Sequence, residues 1–548
     1  MNEPAALQPL NDEPGPGEPL SCDRPSGRDA LLAGLLAGSV TAFALLAGST
    51  WSGTVGLLEV IHNGFTRFIP LDLFELAVAT LGPFAKSLLF VGIVAALILF
   101  GGAIGWLAVR FGAVRRRSTV ADGLFVGALA WLFAEVVVLP AFGAGFFGSD
   151  PALGPVPLHV PLAAGTLAYG LVLVGIVRGA RPAVASSSAP PPPSVVGGPR
   201  MGRRSFLGRS LVLLGLGAFA GSAVQVATRL AHAVTVGTSR SGRTQAPGGF
   251  GPTSQVTPLD EFYVIGKDLS PTVVDGGAWR LVVSGLVDRP RAYNLDEIRA
   301  LPAVEDHRAL QCISNEVTSF GRLIGVQRWK GARARDVLEA AGVRAGATHV
   351  LWRSADGYTE SLPLPVALDE RTWLAYEMGP PGTALTADHG FPLRVLIAGR
   401  YGMKQPKYLT EIIVADHDEP GYWEQRSWDQ TAAVRTYSRI DEPLQGDDVP
   451  SERPFSAFGI ASAGDRGIAR VELSTDGGAT WRDAELEPPL SELAWVRWRI
   501  EVVPPGPGRL ALVARATDGQ GNVQDATVRS VLPSGATGLH RVEVTAVP

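Results

Sequence analysis

Four stretches of the chain, Ala30–Thr50, Lys86–Val109, Ala121–Ala141 and Val160–Val177, are apolar at almost every position, and a fifth, Ser210–Thr228, repeats the pattern after a Pro/Ser-rich interval. Each has about the 20 apolar residues that a helix needs to cross the hydrocarbon core of a bilayer. The arginines between them give a direction. Arg24 and Arg28 precede the first stretch, Arg110 and Arg115 to Arg117 follow the second, Arg178 and Arg181 follow the fourth, and Arg200, Arg203, Arg204 and Arg209 precede the fifth. Basic flanks are retained on the cytoplasmic side. With all four clusters there, five spans alternate without conflict, and everything after residue 232 is expected on the extracytoplasmic side.

The interval Ile61–Pro83 is also rich in apolar residues, but Pro70, Asp72, Glu75 and Pro83 argue against a span. It reads as an amphipathic helix on the outer face. Residues 1–28 form a Pro/Gly/acid-rich leader with no core-forming pattern, expected to be disordered. The expected organisation is then a four-helix transmembrane domain at 29–180, a cytoplasmic Pro/Ser/Arg linker at 181–209 and a fifth transmembrane helix at 210–230. The fifth helix is entered through RRSFLGRS, Arg203–Ser210, which resembles a twin-arginine translocation signal. A plain basic flank is the other reading. The first implies that the outer part folds around a cofactor before export.

Near residue 250 the pattern changes to short runs punctuated by glycine and proline. Trp279–Val287 alternates like a strand. Tyr293–Val304 reads as a short helix with Asn294 as its N-cap, and Gly331–Val343 as a helix closed at Gly342. The segment THVLWRSADGYTESLPL returns to strand, turn and strand. This mixture predicts an α+β domain over 250–440. From 441 to 548 helical periodicity is lost, and FSAFGIAS, IARVELSTD, WVRWRIEVV, RLALVARATD and HRVEVTAV follow at the spacing of a sandwich, with a DGG turn at Asp476–Gly478. That is an immunoglobulin-like β-sandwich by pattern, without a disulfide.

Composition narrows the chemistry. A formal net charge of −4 over 548 residues gives no basis for nucleic-acid binding. The chain has 2 cysteines, Cys22 in the leader and Cys312 in the outer part. They make no disulfide framework, no iron–sulfur ligand set and no CxxCH haem attachment. Three readings of Cys312 stand open: a buried small hydrophobe, a nucleophile served by His307, or a metal ligand. Structural zinc wants several Cys or His ligands, and none cluster here. A lone thiolate suits a metal whose remaining ligands come from a cofactor. Lysine is used only five times, at Lys86, Lys267, Lys330, Lys404 and Lys407, against a habit of arginine.

LQCISNEV, RWKGARARDVLEAAGV and LAYEMGPPGTALTADHGFPLRVLIAGRYGMKQPKYL, in this order, resemble the sulfite oxidase family of molybdopterin-dependent oxidoreductases, and most of all its bacterial membrane-anchored members. The resemblance spans residues 255–548 and none of the membrane half. Within it, RVELSTDGGATW and ARATDGQGNVQ are similar to the family's dimerisation domain, which implies a homodimer. The resemblance implies a molybdenum–molybdopterin cofactor with Cys312 as the protein ligand to the metal, beside the pterin's dithiolene sulfurs and oxo oxygens. It gives the pterin phosphate to His389 and Arg394 of DHGFPLR. A guanidinium fork and an imidazole N–H suit a phosphate dianion on chemical grounds alone. It adds Gln405, Pro406 and Lys407. From the extended segment DEFYVIGK it adds Glu261, Val264 and Ile265, the last two through backbone, and it adds Ser354 where relatives carry a threonine.

Two departures bear on substrate. Sulfite oxidases carry arginines around the metal that bind an oxyanion, and the matching positions here are Val317 and Ile265. Loss of two cations weakens an anion site, unless Arg322, Arg400 or Lys404 compensates. The expected activity is a two-electron oxygen-atom transfer that reduces a sulfoxide or other small oxo compound. Sulfite oxidation is the alternative, and a membrane-anchored binding protein that has lost the metal is the reading from outside enzymology. The outer part has no second redox centre of its own and so needs a quinone or a separate redox partner. His62 and His159 fall at the predicted outer face and leave room for a haem b between them. Glu135 is an acid inside the third span, suited to carrying protons, lining a quinone site or pairing with a neighbouring helix.

Overall fold

The computed structural model describes residues 27–52, 56–65, 69, 73, 84–111, 118–142, 144–148, 155–179, 203–238 and 249–548, less 269–270 and 318–320. The expected leader, the linker up to residue 202, the side chains at 203–208 and most of the interval 66–83 lie outside the described residues. The chain separates into two compact units, residues 1–44, 94–133 and 162–223 in one, residues 45–93, 134–161 and 224–548 in the other.

Among the described residues five helices are long and apolar enough to cross a membrane: Gly27–Gly48, Leu88–Arg110, Thr119–Ala141, His159–Arg178 and Arg209–Ala227. In the first unit the helices touch backbone to backbone. A Cβ on Gly34 would sit 2.5 Å from the Gly101 carbonyl oxygen, an approach open only to a residue without a side chain. Tyr169 donates to the same oxygen at 2.6 Å. In the second unit a helix begins at Leu57, before the expected Ile61, and runs to Phe65. Glu59 folds back on its start and accepts the Gly56 N–H at 2.8 Å. The helix that begins at Thr119 changes winding near its far end, where Ala134–Val138 are π-helical.

The outer part opens with two sheets. β1 (Leu281–Gly285), β2 (Arg291–Tyr293), β5 (His349–Ser354), β6 (Thr359–Pro363) and β9 (Leu409–Ala415) lie in the order β2-β1-β9-β5-β6, with β1 and β9 parallel. β3 (Ala303–Gln311), β4 (Ile324–Arg333), β7 (Trp373–Met378) and β8 (Arg394–Leu396) form the second sheet in that order, which leaves β3 at its edge. Both sheets close over one core that includes Leu281, Trp352, Leu374, Val395 and Ile412. Two helices cover it. Leu295–Arg299 starts at a capping box made by Asn294 and Glu297, and Ala334–Ala341 ends on Gly342 at φ 74°. Both are shorter than expected from sequence. Ala303 and Val304 belong to β3 and Gly331–Arg333 to β4, because a ladder of nine residue pairs between these strands overrides local helix preference.

The C-terminal strands pack as two sheets. β10 (Tyr437–Glu442), β12 (Phe455–Ser462), β15 (Glu485–Leu486) and β16 (Val496–Val502) make one. β11 (Asp448–Pro450), β13 (Ile468–Ser474), β14 (Arg482–Asp483), β17 (Gly508–Asp518) and β18 (His540–Val547) make the other. Their inner faces meet on Ile440, Ala457, Trp498, Leu473, Leu512 and Val542. β10 begins before the boundary at 441. It does not read as an apolar strand because it carries a buried Arg439–Asp441 ion pair, 2.6 Å apart. This region also reaches back to the first sheets: the Ala309 N–H donates to Leu493 O at 2.7 Å and Tyr437 OH to Gly321 O at 3.2 Å.

Candidate active site

Cys312 is the residue that follows β3. Its N–H donates to Leu323 O at 2.9 Å and its carbonyl accepts from the Asn315 N–H at 3.1 Å, so Cys312–Asn315 is a tight turn. Asn315 Oδ1 takes the Leu323 N–H at 2.8 Å and ties the turn to the approach to β4. The thiol is half-buried, with Ser314 Oγ 3.0 Å from Sγ. His307 lies five residues back along extended chain, about 16 Å at 3.3 Å per residue. The odd spacing also sends its side chain to the other face. The nearest imidazole in sequence therefore does not serve this thiol.

A second turn carries His389. Three consecutive carbonyls of this turn are each taken by a different side chain. Ala387 O accepts from Tyr408 OH at 2.6 Å, Asp388 O from Lys407 Nζ at 3.0 Å and His389 O from Arg394 Nη1 at 3.1 Å. Gly390 at φ 102° lets Lys407 lie against it, since a Cβ there would fall 2.8 Å from Lys407 Cβ. Tyr408 holds an uncommon φ of 55° for a residue with a side chain, a strain that tends to collect at binding sites. Phe262 meets the His389 ring edge-on at 5.5 Å.

The charges that act on His389 itself are positive. Burial first, and then the charges of Arg394 and Lys407, hold the His389 imidazole down at about 4. Burial lowers the Arg394 guanidinium to about 10. Among the described residues no carboxylate pairs with Arg394 and its buried Nε has no partner; its Nη1 is spent on a carbonyl. Ser354, at the end of β5, is likewise buried with its Oγ unpartnered. A buried cation without an anion is costly. Two orphaned donors beside an imidazole and a lysine are what a phosphate-bearing cofactor would satisfy, so the residues fit a molybdopterin.

Tyr263 links the two turns. Its phenol is pushed well up by burial first and by Cys312 next, with Arg394 opposing, so thiol and guanidinium lie within electrostatic reach of one hydroxyl. Tyr401 is raised in the same sense, by burial and in part by Cys312, and it packs with Ile313, Met403 and Trp428. The Arg435 N–H donates to Tyr401 OH at 3.2 Å. Arg435 borders a cavity of about 420 Å³ shared with Asp429, Arg466 and Asp518.

The other expected residues divide. Glu261, Val264 and Ile265 lie on the irregular segment between Phe250 and β1, partly open to solvent. Gly266 of that segment comes close to Lys407 Nζ. Gln405 is engaged internally: Oε1 accepts the Ile397 N–H at 3.3 Å and Nε2 donates to Arg400 O at 2.7 Å. Pro406 gives its carbonyl to the Val395 N–H at 2.9 Å. Val317 is buried with Ile324, Val326, Tyr437 and Trp495, in an apolar core rather than an anion pocket. Lys404 cannot replace the missing cations, because its buried ammonium pairs with Glu360 and Glu424. Arg400 Nη1 donates to Thr431 O at 3.1 Å. Sequence reasoning passed over Tyr263 and Tyr408, although both sit inside the quoted motifs. Tyrosine in an apolar run reads as core until its hydroxyl is placed.

Residues 269–423 match the oxidoreductase molybdopterin binding domain family and residues 429–547 the Mo-co oxidoreductase dimerisation domain family. The chain is 30% identical over 334 residues to sulfite oxidase of Arabidopsis thaliana, covering 51% of this chain and 84% of that protein. It is 31% identical over 346 residues to mitochondrial sulfite oxidase of Rattus norvegicus, covering 54% of this chain but only 62% of that protein's length. It is 37% identical over 158 residues to the uncharacterized oxidoreductase YuiH of Bacillus subtilis, covering 29% of this chain and 76% of that protein. The chain belongs to the sulfite oxidase family of molybdopterin-dependent oxidoreductases.

Proposed function

We propose that this chain is a membrane-anchored oxidoreductase of the bacterial branch of that family, working on the extracytoplasmic side. The observation that carries the reading is the buried Arg394: its Nε has no partner among the described residues, its charge acts on His389 together with that of Lys407, and it shares with Cys312 electrostatic reach of the Tyr263 hydroxyl. His389, Arg394 and Lys407 hold the pterin phosphate, Ser354 adds a hydroxyl, and the backbone of Glu261, Val264 and Ile265 lies alongside. Gln405 and Pro406 serve by shaping the irregular segment before β9 that delivers Lys407. Cys312 supplies the protein bond to the metal. Bound there, the molybdenum centre supplies two-electron oxygen-atom transfer. Tyr263 and Tyr401 stand by as hydroxyl donors that burial keeps protonated.

Reduction of a sulfoxide or other small neutral oxo compound is the favoured direction, because Val317 and Ile265 bring no cation and Lys404 is spent on carboxylates. Sulfite oxidation is the second reading, favoured by the sulfite oxidases among the relatives. In this reading the five apolar helices cross the membrane with the cofactor domain outside, which the arginine pattern and the helices' length and apolar composition support, and RRSFL acts as the export signal. The C-terminal sandwich, immunoglobulin-like in its two-sheet packing, joins two copies. The test is metal and pterin analysis of the purified protein, followed by a screen of sulfoxides, N-oxides, nitrate and sulfite with an artificial mediator. Molybdenum near one atom per chain is expected. Molybdenum-free protein from molybdate-replete cells sinks the reading. Cys312→Ala is expected to keep pterin and lose turnover.

A further inference from the structure

Glu135 and His159 lie 24 residues apart on consecutive apolar helices and meet side chain to side chain, with Glu135 Oε1 2.7 Å from His159 Nδ1. The carboxylate is fully buried, whereas the imidazole keeps 27% of its side-chain surface exposed. The other carboxylate oxygen, Oε2, is buried and has no hydrogen-bond partner among the described residues. Acids at this depth are expensive and persist where they work. The backbone is adjusted at the same point. Ala134–Val138 are π-helical, a departure that collects at functional sites. The surface beside the pair is apolar, with Val136, Val137 and Val160 exposed. The imidazole is therefore partly exposed on an apolar surface.

The carboxylate decides what the imidazole offers. In the tautomer that donates Nδ1–H to the carboxylate, Nε2 is the ring nitrogen left to accept from a ligand. The ligand suited to that arrangement is lipid-soluble and presents an acidic O–H on a compact head. The electron requirement points the same way. With 2 cysteines and no CxxCH in the chain, the cofactor domain has no relay of its own and depends on a dissociable carrier.

We propose that the Glu135–His159 pair binds the head group of a membrane hydroquinone, with His159 Nε2 accepting its hydroxyl proton, and that this hydroquinone is the electron donor for the oxygen-atom transfer proposed above, on which the inference rests. In the overall reaction the hydroquinone loses two electrons and two protons and becomes a quinone. The oxo substrate gains both, and its oxygen leaves as water. The arginine pattern places the outer ends of these two helices on the cofactor domain's side of the membrane.

The experiment uses the full-length holoprotein in nanodiscs. An azido derivative of decylubiquinone is photolysed and the labelled peptides are mapped by mass spectrometry. Label is expected within residues 131–141 and 155–165, competed by excess decylubiquinone and cut at least fivefold in both Glu135→Gln and His159→Gln. Label elsewhere, or label indifferent to both substitutions, overturns the proposal. Turnover is measured in parallel with decylubiquinol and with a reduced dye mediator. Wild type active with both, and Glu135→Gln losing tenfold or more in kcat/KM for decylubiquinol relative to the dye, is the expected result. Dye-driven turnover without decylubiquinol oxidation in wild type overturns the inference and spares the function. No turnover with either donor removes the function, while the labelling still decides the site. A Soret band in the purified protein that vanishes in His159→Gln assigns the imidazole to haem and also overturns the proposal.

Discussion

Arg394 donates Nη1–H to the carbonyl of His389 at 3.1 Å while its buried Nε finds no acceptor among the described residues. One guanidinium thus fixes the turn that carries His389 and keeps a donor in reserve. Arg394→Lys removes the fork but keeps the charge. A hydrogen bond from a charged group contributes about 1.5–3 kcal/mol, so pterin retention should fall roughly tenfold to a hundredfold. Pterin fluorescence after acid release checks this against near-UV circular dichroism, and full retention would falsify the phosphate role.

Gly390→Ala introduces a Cβ at φ 102°, 2.8 Å from Lys407 Cβ. Both the conformation and the space are denied to alanine. The turn should shift and release the Lys407–Asp388 contact. Reduced pterin content, with a loss of stability of about 1–3 kcal/mol, is the expected outcome in thermal melts of the purified variant.

Lys404 is buried between Glu360 and Glu424, and burial pushes the Glu360 carboxyl up to about 8 even though Lys404 opposes it. Removing the ammonium leaves buried carboxylates together, at about 3–5 kcal/mol. Lys404→Met should melt well below wild type, and adding Glu360→Gln should restore part of the loss. Equal melting of the single and double variants would contradict this account of the cluster.

His540 accepts the Ile440 N–H at 3.0 Å through Nδ1. Burial first, with Asp441 opposing and Arg439 assisting, keeps it near 4. A histidine held neutral in the fold and titrating near 6.5 when unfolded gives stability that is full above pH 6.5 and is lost as pH falls towards 4. The ceiling is about 3 kcal/mol. Denaturation midpoints should drop between pH 7 and 5, and the drop should be smaller in His540→Gln. His389, also near 4, contributes in the same direction.

Val317 is packed among Ile324, Val326, Tyr437 and Trp495. Val317→Arg, which copies the residue that sulfite-handling relatives carry, should bury an unpaired charge and destabilise by several kcal/mol without creating sulfite turnover. A stable variant with sulfite activity would show that the pocket does open here.

The parts legible in the sequence are those whose physics is local. Asn294 caps its helix and Gly342 ends the next because capping depends on a few neighbouring residues. Five C-terminal strands show as short runs at regular spacing between turns, and the last of them, β18, also has the alternation that one buried face imposes. β4 was missed because it is buried on both faces and so does not alternate. The pairing of Lys404 with Glu360 and Glu424, and of Glu135 with His159, was invisible because each joins residues brought together only by the fold. Cys312, His389, Arg394 and Lys407 were legible as motif residues; the tying of three consecutive carbonyls around His389 was not.

The edge position of β3 has a consequence for the whole chain. An unpaired edge invites other strands to add to it, and here the open side of the strand that leads to Cys312 is met by the backbone of Leu493 through the Ala309 N–H. The C-terminal sheets thus act as a sheath over an adhesive border. A chain ended after residue 436 would bare that border, and it should self-associate into β-rich aggregates even where its own core remains folded.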